Sequence, residues 1–370
     1  MPERSSAAPA FVPGPVLGIE TSCDETAVGI VADGRVLAAC FSTQIPLHQR
    51  FGGVVPEVAS RNHLLSLLPT LEATLAQADL GLDDLAGVAV THRPGLLGAL
   101  LVGTQSAATL ALRRNLPLVG VHHIEAHCWA AMLDADGASA FRRPTLPALA
   151  LAVSGGHTSL YRMDGPGQMT LLGQTLDDAA GEALDKFGKH IGLPYPAGPV
   201  IDRLAGQGDP ERYALPRGMR GRTDLAMSFS GLKTAGRMQA DAILAEGGDA
   251  ALDAARADLC ASYQEAVVRQ LVDTTLRALR QTGLREVILA GGVAANSRLR
   301  AELGRACAAR GVGFWPVAPR LCTDNGAMVA GLGSSLLAAG VRHDPLQLDA
   351  SPTARPEIAL VRASAREGRA

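Results

Sequence analysis

Two stretches of this chain share one pattern, and that pattern restricts the fold more than any other feature. The apolar run Val16–Glu20 leads into the polar segment Thr21–Thr26 and then into apolar Ala27–Val31. Leu149–Val153, Ser154–Thr158 and Ser159–Tyr161 repeat that order. Each reads as strand, turn, strand. The turns are rich in small hydroxyl residues, with acidic residues in the first and glycine in the second. Such turns line up backbone N–H groups and hydroxyls, as an anion-binding nest does. The same hairpin at the start of each half predicts a duplicated, two-lobed fold with a ligand in the cleft between lobes. Two unrelated hairpins are the plainer alternative. Elsewhere apolar runs alternate with helical patterns, which argues for the α/β class. The expected division is a tail over 1–14, a first lobe over 15–138 with 323–349, a second lobe over 139–322 and a tail over 350–370.

The chemistry-bearing residues fall in short polar segments. Val121–His127 carries His123 and His127 four residues apart. On a helix that spacing puts both imidazoles on one face, where they can share a transition metal and leave positions open. The alternative is a helix with histidines at a contact. Glu125 lies between them, unlike the His-Glu-x-x-His order of zinc proteases, so a Lewis-acid role fits better than a hydrolytic one. Asp324, in Cys322–Met328, reads first as a helix cap. It becomes a metal candidate because the histidine pair lacks a hard third ligand. Val287–Asn296 reads as a buried strand, a Gly291-Gly292 turn and a helix starting near Ala294; Asn296 is placed to bond a ribose or base. Asp177–Lys186 reads as a helix, Tyr195–Asp202 as a turn entering a helix, and Ser228–Thr234 as a hydroxyl-rich loop. The P-loop and Rossmann fingerprints are absent.

Bulk properties narrow the class. With 370 residues the chain can form two domains or one two-lobed unit. A net charge of −2 gives no general attraction for nucleic acid, so any such surface must be local. The only lysines are Lys186, Lys189 and Lys233. Six scattered cysteines form no Cys-x-x-Cys pair, which suits a reducing, cytoplasmic setting. No leader pattern and no membrane-length apolar run is visible.

Taken together, the segments resemble the bacterial tRNA N6-adenosine threonylcarbamoyltransferases, the TsaD family. The likeness runs from about Val16 to Gly340. It rests on GIETSCDET (18–26), FGGVVPEVASRNH (51–63), PGLLGALLVG (94–103), VHHIEAH (121–127), VSGGHT (153–158), DDAAGEALDK (177–186), SFSGLKT (228–234), AGGVAAN (290–296) and CTDNGAM (322–328). The resemblance implies an actin/Hsp70/sugar-kinase-like fold. It implies that His123, His127 and Asp324 hold one divalent metal, iron first and zinc second. It implies that Ala152, Val153, Ser154, Gly155, Gly156, Asp185, Gly198, Asp202 and Asn296 bind threonylcarbamoyl-AMP. The group would pass to N6 of the adenosine next to the anticodon in tRNAs that read codons beginning with A. The partners implied are tRNA, a TsaB-like paralogue and a TsaE-like ATPase, with no membrane. His92-Arg93 and Ala197 depart from the family pattern. Ala152-Val153 stand where archaeal and eukaryotic relatives carry a tyrosine ligand, which points to the bacterial branch.

The implied reaction is acyl transfer to a poor amine nucleophile, which needs orientation, charge stabilisation and a base. Asp24 and Glu25 are the candidate bases; turn capping is their alternative. Cys23 has no catalytic histidine beside it, which argues against a cysteine nucleophile. The competing readings are an actin-like nucleotide-binding scaffold and, more remotely, a metalloprotease.

Overall fold

The computed structural model describes residues 10–51, 53–138, 141–216, 218 and 223–353. Of the expected tails, residues 1–9 and 354–370 lie outside the described residues. Two compact units divide at Arg143/Pro144 and at Cys322/Thr323, with Gly165–Gln168 grouped in the first.

The first unit holds β1 (Val16–Glu20), β2 (Glu25–Ala32), β3 (Arg35–Thr43), α1 (Ile45–His48), α2 (Pro56–Ala78), β4 (Gly87–Arg93), α3 (Leu97–Arg114), β5 (Leu118–His122) and α4 (His123–Trp129). Its sheet runs β3-β2-β1-β4-β5. β1 pairs antiparallel with β2 and parallel with β4, and β4 pairs parallel with β5. The parallel strands therefore end at one edge, where Glu20, Thr91 and His122 stand. Sites in open α/β sheets form at such carboxyl ends.

Strand alternation sets the two faces of this sheet. Leu17, Ile19, Val28, Ile30, Val88 and Val90 point to one side and pack with Leu67 of α2 and Ala107, Ala108 and Ala111 of α3. Gly18, Gly29 and Ala89 point to the other, against α9 (Gly326–Ala338). A Cβ on Gly18 would collide with the backbone of Ala330, and one on Gly29 with the backbone of Ala327. Small residues thus let α9 lie directly on the sheet. Gly326 through Leu337 are all buried, as expected of a helix apolar on every side. Asn325 caps it, its side chain accepting the Met328 N–H. The seating of Gly326 on Gly29 fixes the approach to α9, and with it Asp324 two residues earlier.

The second unit repeats the topology. It contains β6 (Ala148–Val153), β7 (Thr158–Gly165), β8 (Gln168–Gln174), α5 (Ala180–His190), α6 (Gly198–Ala205), α7 (Ser230–Thr282), β9 (Glu286–Ala290), α8 (Ser297–Ala308) and β10 (Gly313–Pro316). The order is β10-β9-β6-β7-β8, with β6 antiparallel to β7 and parallel to β9, and β9 parallel to β10. Strand for strand, β6 to β10 retrace β1 to β5. α7 is broken at Gly248, whose φ of +65° is not helical.

Three boundaries differ from the sequence expectation. α5 starts at Ala180 because Asp177 and Asp178 bond elsewhere, Asp177 accepting the Phe229 and Ser230 N–H groups at the start of α7. The hydroxyl-rich 228–234 segment is therefore a capped helix start rather than a loop throughout. A short 3-10 turn, Gly292–Ala295, delays the next helix to Ser297, where Asn296 caps it.

Candidate metal centre and substrate turn

The metal candidates come from two places in the chain and meet at one point. β5 hands over to α4 at His122–His123, and the helical repeat stacks His127 one turn on. The two rings stand edge to face, 4.6 Å between centroids. Both Nε2 atoms face Asp324: His127 Nε2 is 3.1 Å from Oδ1 and His123 Nε2 is 3.6 Å from it. One ligand atom from each of the three residues lies within 4.8 Å of the others, a spacing a single ion can span. His123 and His127 are buried and Asp324 is partly exposed, so the cluster opens on one side.

Glu125, between the histidines, faces elsewhere. Its Oε1 accepts the Gly167 N–H at 2.6 Å, and burial pushes its carboxyl up to about 7. It is not placed as the general base of a zinc protease, in line with its departure from the His-Glu-x-x-His order.

The first hairpin turn closes around the same cluster. His63 of α2 braces it, with Nδ1 2.7 Å from Thr26 Oγ1 and Nε2 3.0 Å from the Cys23 carbonyl. Leu96, before α3, donates its N–H to the Ser22 carbonyl. Asp24 is buried at the turn, and Glu25 opens β2 with Thr43 Oγ1 donating to its carboxylate. Burial, and then the negative charges of Asp324 and Asp24, push the Glu25 carboxyl up to about 9. Burial works against a protonated His123, yet Glu20 and Asp324 bring its ring up to about 9. The carboxylates thus create a demand for positive charge at this point, which a proton or a metal ion satisfies. Burial also pushes the Cys23 thiol far up, so no thiolate nucleophile forms there.

Glu20 and His63 also belong to this site, although no local motif in the sequence marks a role for either. Glu20 looked like the end of a strand; its signal was a carboxylate in a wholly buried apolar run. Nothing in sequence spacing tied His63 to residues some forty positions earlier.

In the second unit the turn Ser154–His157 has little charge and much room. Ser154 N–H donates to the His157 carbonyl, and His157 N–H donates back to Ser154 Oγ. The exposed tip is Gly155-Gly156, and a Cβ on either would meet nothing within 4 Å. α5 abuts the turn through Gly181, whose N–H donates to the Ser154 carbonyl. Ala152 and Val153 are buried in β6, so of the run 152–156 the structure exposes only Ser154–Gly156. Asp185 Oδ1 accepts the Ala197 N–H at 2.7 Å and the Gly198 N–H at 3.3 Å, shaping the entry to α6. Both carboxylate oxygens of Asp202 bond Ser297. Asn296 caps α8 through Oδ1 and donates from Nδ2 to Gln264. Gly291, with φ +91°, is required by the Val153 backbone beside it, whereas Gly292 has open space where a Cβ would stand. The departure at His92-Arg93 completes β4: buried His92 places Nδ1 3.1 Å from the Asp349 carbonyl.

Comparison with known proteins adds an independent line. Residues 35–331 match the family model TsaD, tRNA N6-adenosine threonylcarbamoyltransferase. A protein of that name from Anaeromyxobacter dehalogenans (strain 2CP-1 / ATCC BAA-258) is 52% identical over 342 residues, 92% of this chain and 99% of the relative. One from Geobacter sulfurreducens is 51% identical over 338 residues, 90% of this chain and 95% of the relative. Among solved structures, full-length HypF in a phosphate- and nucleotide-bound form aligns with TM-score 0.55 at 15% identity, covering 89% of this chain and 47% of HypF. The activator of 2-hydroxyisocaproyl-CoA dehydratase from Clostridium difficile aligns with TM-score 0.51 at 15% identity, over 88% of this chain and 96% of the activator. The duplicated sheets and these likenesses give the actin/Hsp70/sugar-kinase-like fold. The chain belongs to the TsaD family of tRNA N6-adenosine threonylcarbamoyltransferases and is a tRNA-modifying transferase.

Proposed function

We propose that this chain transfers the threonylcarbamoyl group of threonylcarbamoyl-AMP to N6 of the adenosine 3′-adjacent to the anticodon, in tRNAs reading codons that begin with A. The observation that carries the reading is the convergence of His123, His127 and Asp324 in a chain of this family. Two imidazoles and one carboxylate with an open side form a donor set suited to ferrous iron, with zinc the second choice. A divalent ion held there supplies Lewis-acid polarisation and a fixed positive charge for anionic oxygens.

The protein groups do the rest. Exposed Gly155 and Gly156 offer backbone N–H groups and unobstructed approach to a phosphate. Asp185 and Asp202 shape the loops around Gly198 and Ser297, and Asn296 fixes the start of α8, so these three act on the adenylate site chiefly by building its walls. Proton loss from the attacking amine falls to Asp24 or Glu25, the carboxylates of the first turn, and Glu25 can serve only when a cation beside Asp324 brings its raised pKa down.

Partner proteins complete the assembly. α2 and α3 pack side by side and expose Leu64, Leu65, Leu68, Leu97 and Leu101, an apolar display that a TsaB-like paralogue would cover. A TsaE-like ATPase is the third component. With a net charge of −2, strong tRNA binding by the chain alone is not expected. Work on tRNA implies a cytoplasmic setting; no helix among the described residues is long and apolar enough to cross a membrane.

The test supplies threonylcarbamoyl-AMP, labelled in its threonine, to the chain with its partners and unmodified tRNA. Label should enter the tRNA as threonylcarbamoyladenosine. Label remaining in the small-molecule fraction would refute the transfer.

A further inference from the structure

We propose that Glu20 is a positioning residue: it holds the His123 ring in the orientation and tautomer that metal binding requires. The inference rests on the metal reading above and extends it to a residue that is no ligand. Glu20 ends β1 and has no exposed surface. Its Oε1 accepts the Ser22 N–H at 2.6 Å. Its Oε2 accepts the Thr91 hydroxyl at 2.6 Å and faces His123 Nδ1 at 3.0 Å. Ser22 Oγ lies 3.2 Å from the same ring nitrogen.

A carboxylate only accepts hydrogen bonds, so this arrangement puts the ring proton on Nδ1. The Nε2 lone pair is then directed at the Asp324 side, where a metal would sit. A carboxylate behind a ligating imidazole also raises the basicity of the ligand. His127 has no counterpart: its buried Nδ1 finds no hydrogen-bond partner among the described residues. One histidine is therefore oriented by a carboxylate and the other by packing. The location of Glu20 supports the assignment. A buried carboxylate is costly unless every oxygen is engaged, and here backbone, hydroxyl and imidazole engage both.

The experiment titrates the metal-free full chain with Co²⁺ and reads the visible spectrum of the bound ion together with its affinity. Wild type should bind one ion, and His127→Ala should lose it. Glu20→Gln, nearly identical in shape, should bind about 10- to 100-fold more weakly, with an altered spectrum and an apo-protein melting point near that of wild type. Thr91→Val keeps the side-chain shape and removes one bond to Glu20. It should weaken binding several-fold, and it carries the test should Glu20→Gln not fold. Co²⁺ affinity within twofold of wild type and an unchanged spectrum in the folded variants would overturn the role of Glu20. Tight binding that survives His127→Ala would overturn the metal site itself, and this inference with it.

Discussion

The two sheets have one topology and opposite furnishings. In the first, the strand ends carry ionisable groups: Glu20, then Asp24 and Glu25 in the turn, and His123 after β5. Its glycines, Gly18 and Gly29, lie inside the sheet and serve the packing of α9. In the second, the glycines have moved to the edge. Gly155, Gly156 and Gly292 have open space before them, and the ionisable residues nearby mostly bond protein atoms. The fold supplies a pair of equivalent edges, and in the proposed function the residues placed there suit one to a cation and the other to an anion. A glycine's meaning therefore depends on what its missing Cβ would strike.

The largest effect expected from that contrast is at Gly29. Gly29→Val should cost about 3 kcal/mol or more in denaturant unfolding, since the side chain meets α9 backbone rather than a movable side chain. It should also weaken metal binding, because the approach to α9 carries Asp324. A variant of wild-type stability and metal content would break the packing account.

Gly155→Val should do the reverse. Stability should stay within about 0.5 kcal/mol of wild type, as for an exposed site, while affinity for threonylcarbamoyl-AMP falls at least about tenfold by calorimetry, a loss of roughly 1.4 kcal/mol. Unaltered affinity would remove the anion role from the second turn.

The effect that is smallest near neutral pH, and that grows only in acid, concerns His92 of the first unit. Burial, with Arg93 and His343 nearby, lowers the His92 pKa to about 4 from its ordinary 6.5. The unfolded chain takes up this proton below about pH 6.5 and the folded chain only near 4. Stability is thus unaffected above 6.5 and declines as pH falls from 6.5 to 4, by about 3 kcal/mol at most. Buried His63 and partly exposed His343 are lowered as well and add the same trend. His92→Gln should make the decline shallower between pH 6.5 and 4; an unchanged slope would show that His92 titrates normally.

The sequence disclosed the duplication because both hairpins are local patterns, and it disclosed His123 and His127 because a four-residue spacing is a local property of a helix. Asp324 was legible only through the chemistry the histidine pair lacked and through the family motifs. What stayed hidden depends on distance along the chain. The Glu20–His123 contact joins residues about a hundred apart, and the His63 brace joins α2 to the first turn. The start of α5 was misplaced because Asp177 spends its capping capacity on α7, some fifty residues on. Asn296 fits a nucleoside contact and a helix cap equally well by sequence; the structure shows the cap.

The most direct test measures metal content and tRNA modification on the same preparations. Wild type, His123→Ala and His127→Ala are reconstituted with partner proteins, ATP, threonine, bicarbonate and tRNA, and the nucleosides are analysed by mass spectrometry. Wild type should carry one metal ion per chain and produce threonylcarbamoyladenosine. Each variant should fold, lose the ion and lose at least about 100-fold in rate, as expected when a group stabilising transition-state charge is removed. Folded variants with full metal content and wild-type rates would contradict the account.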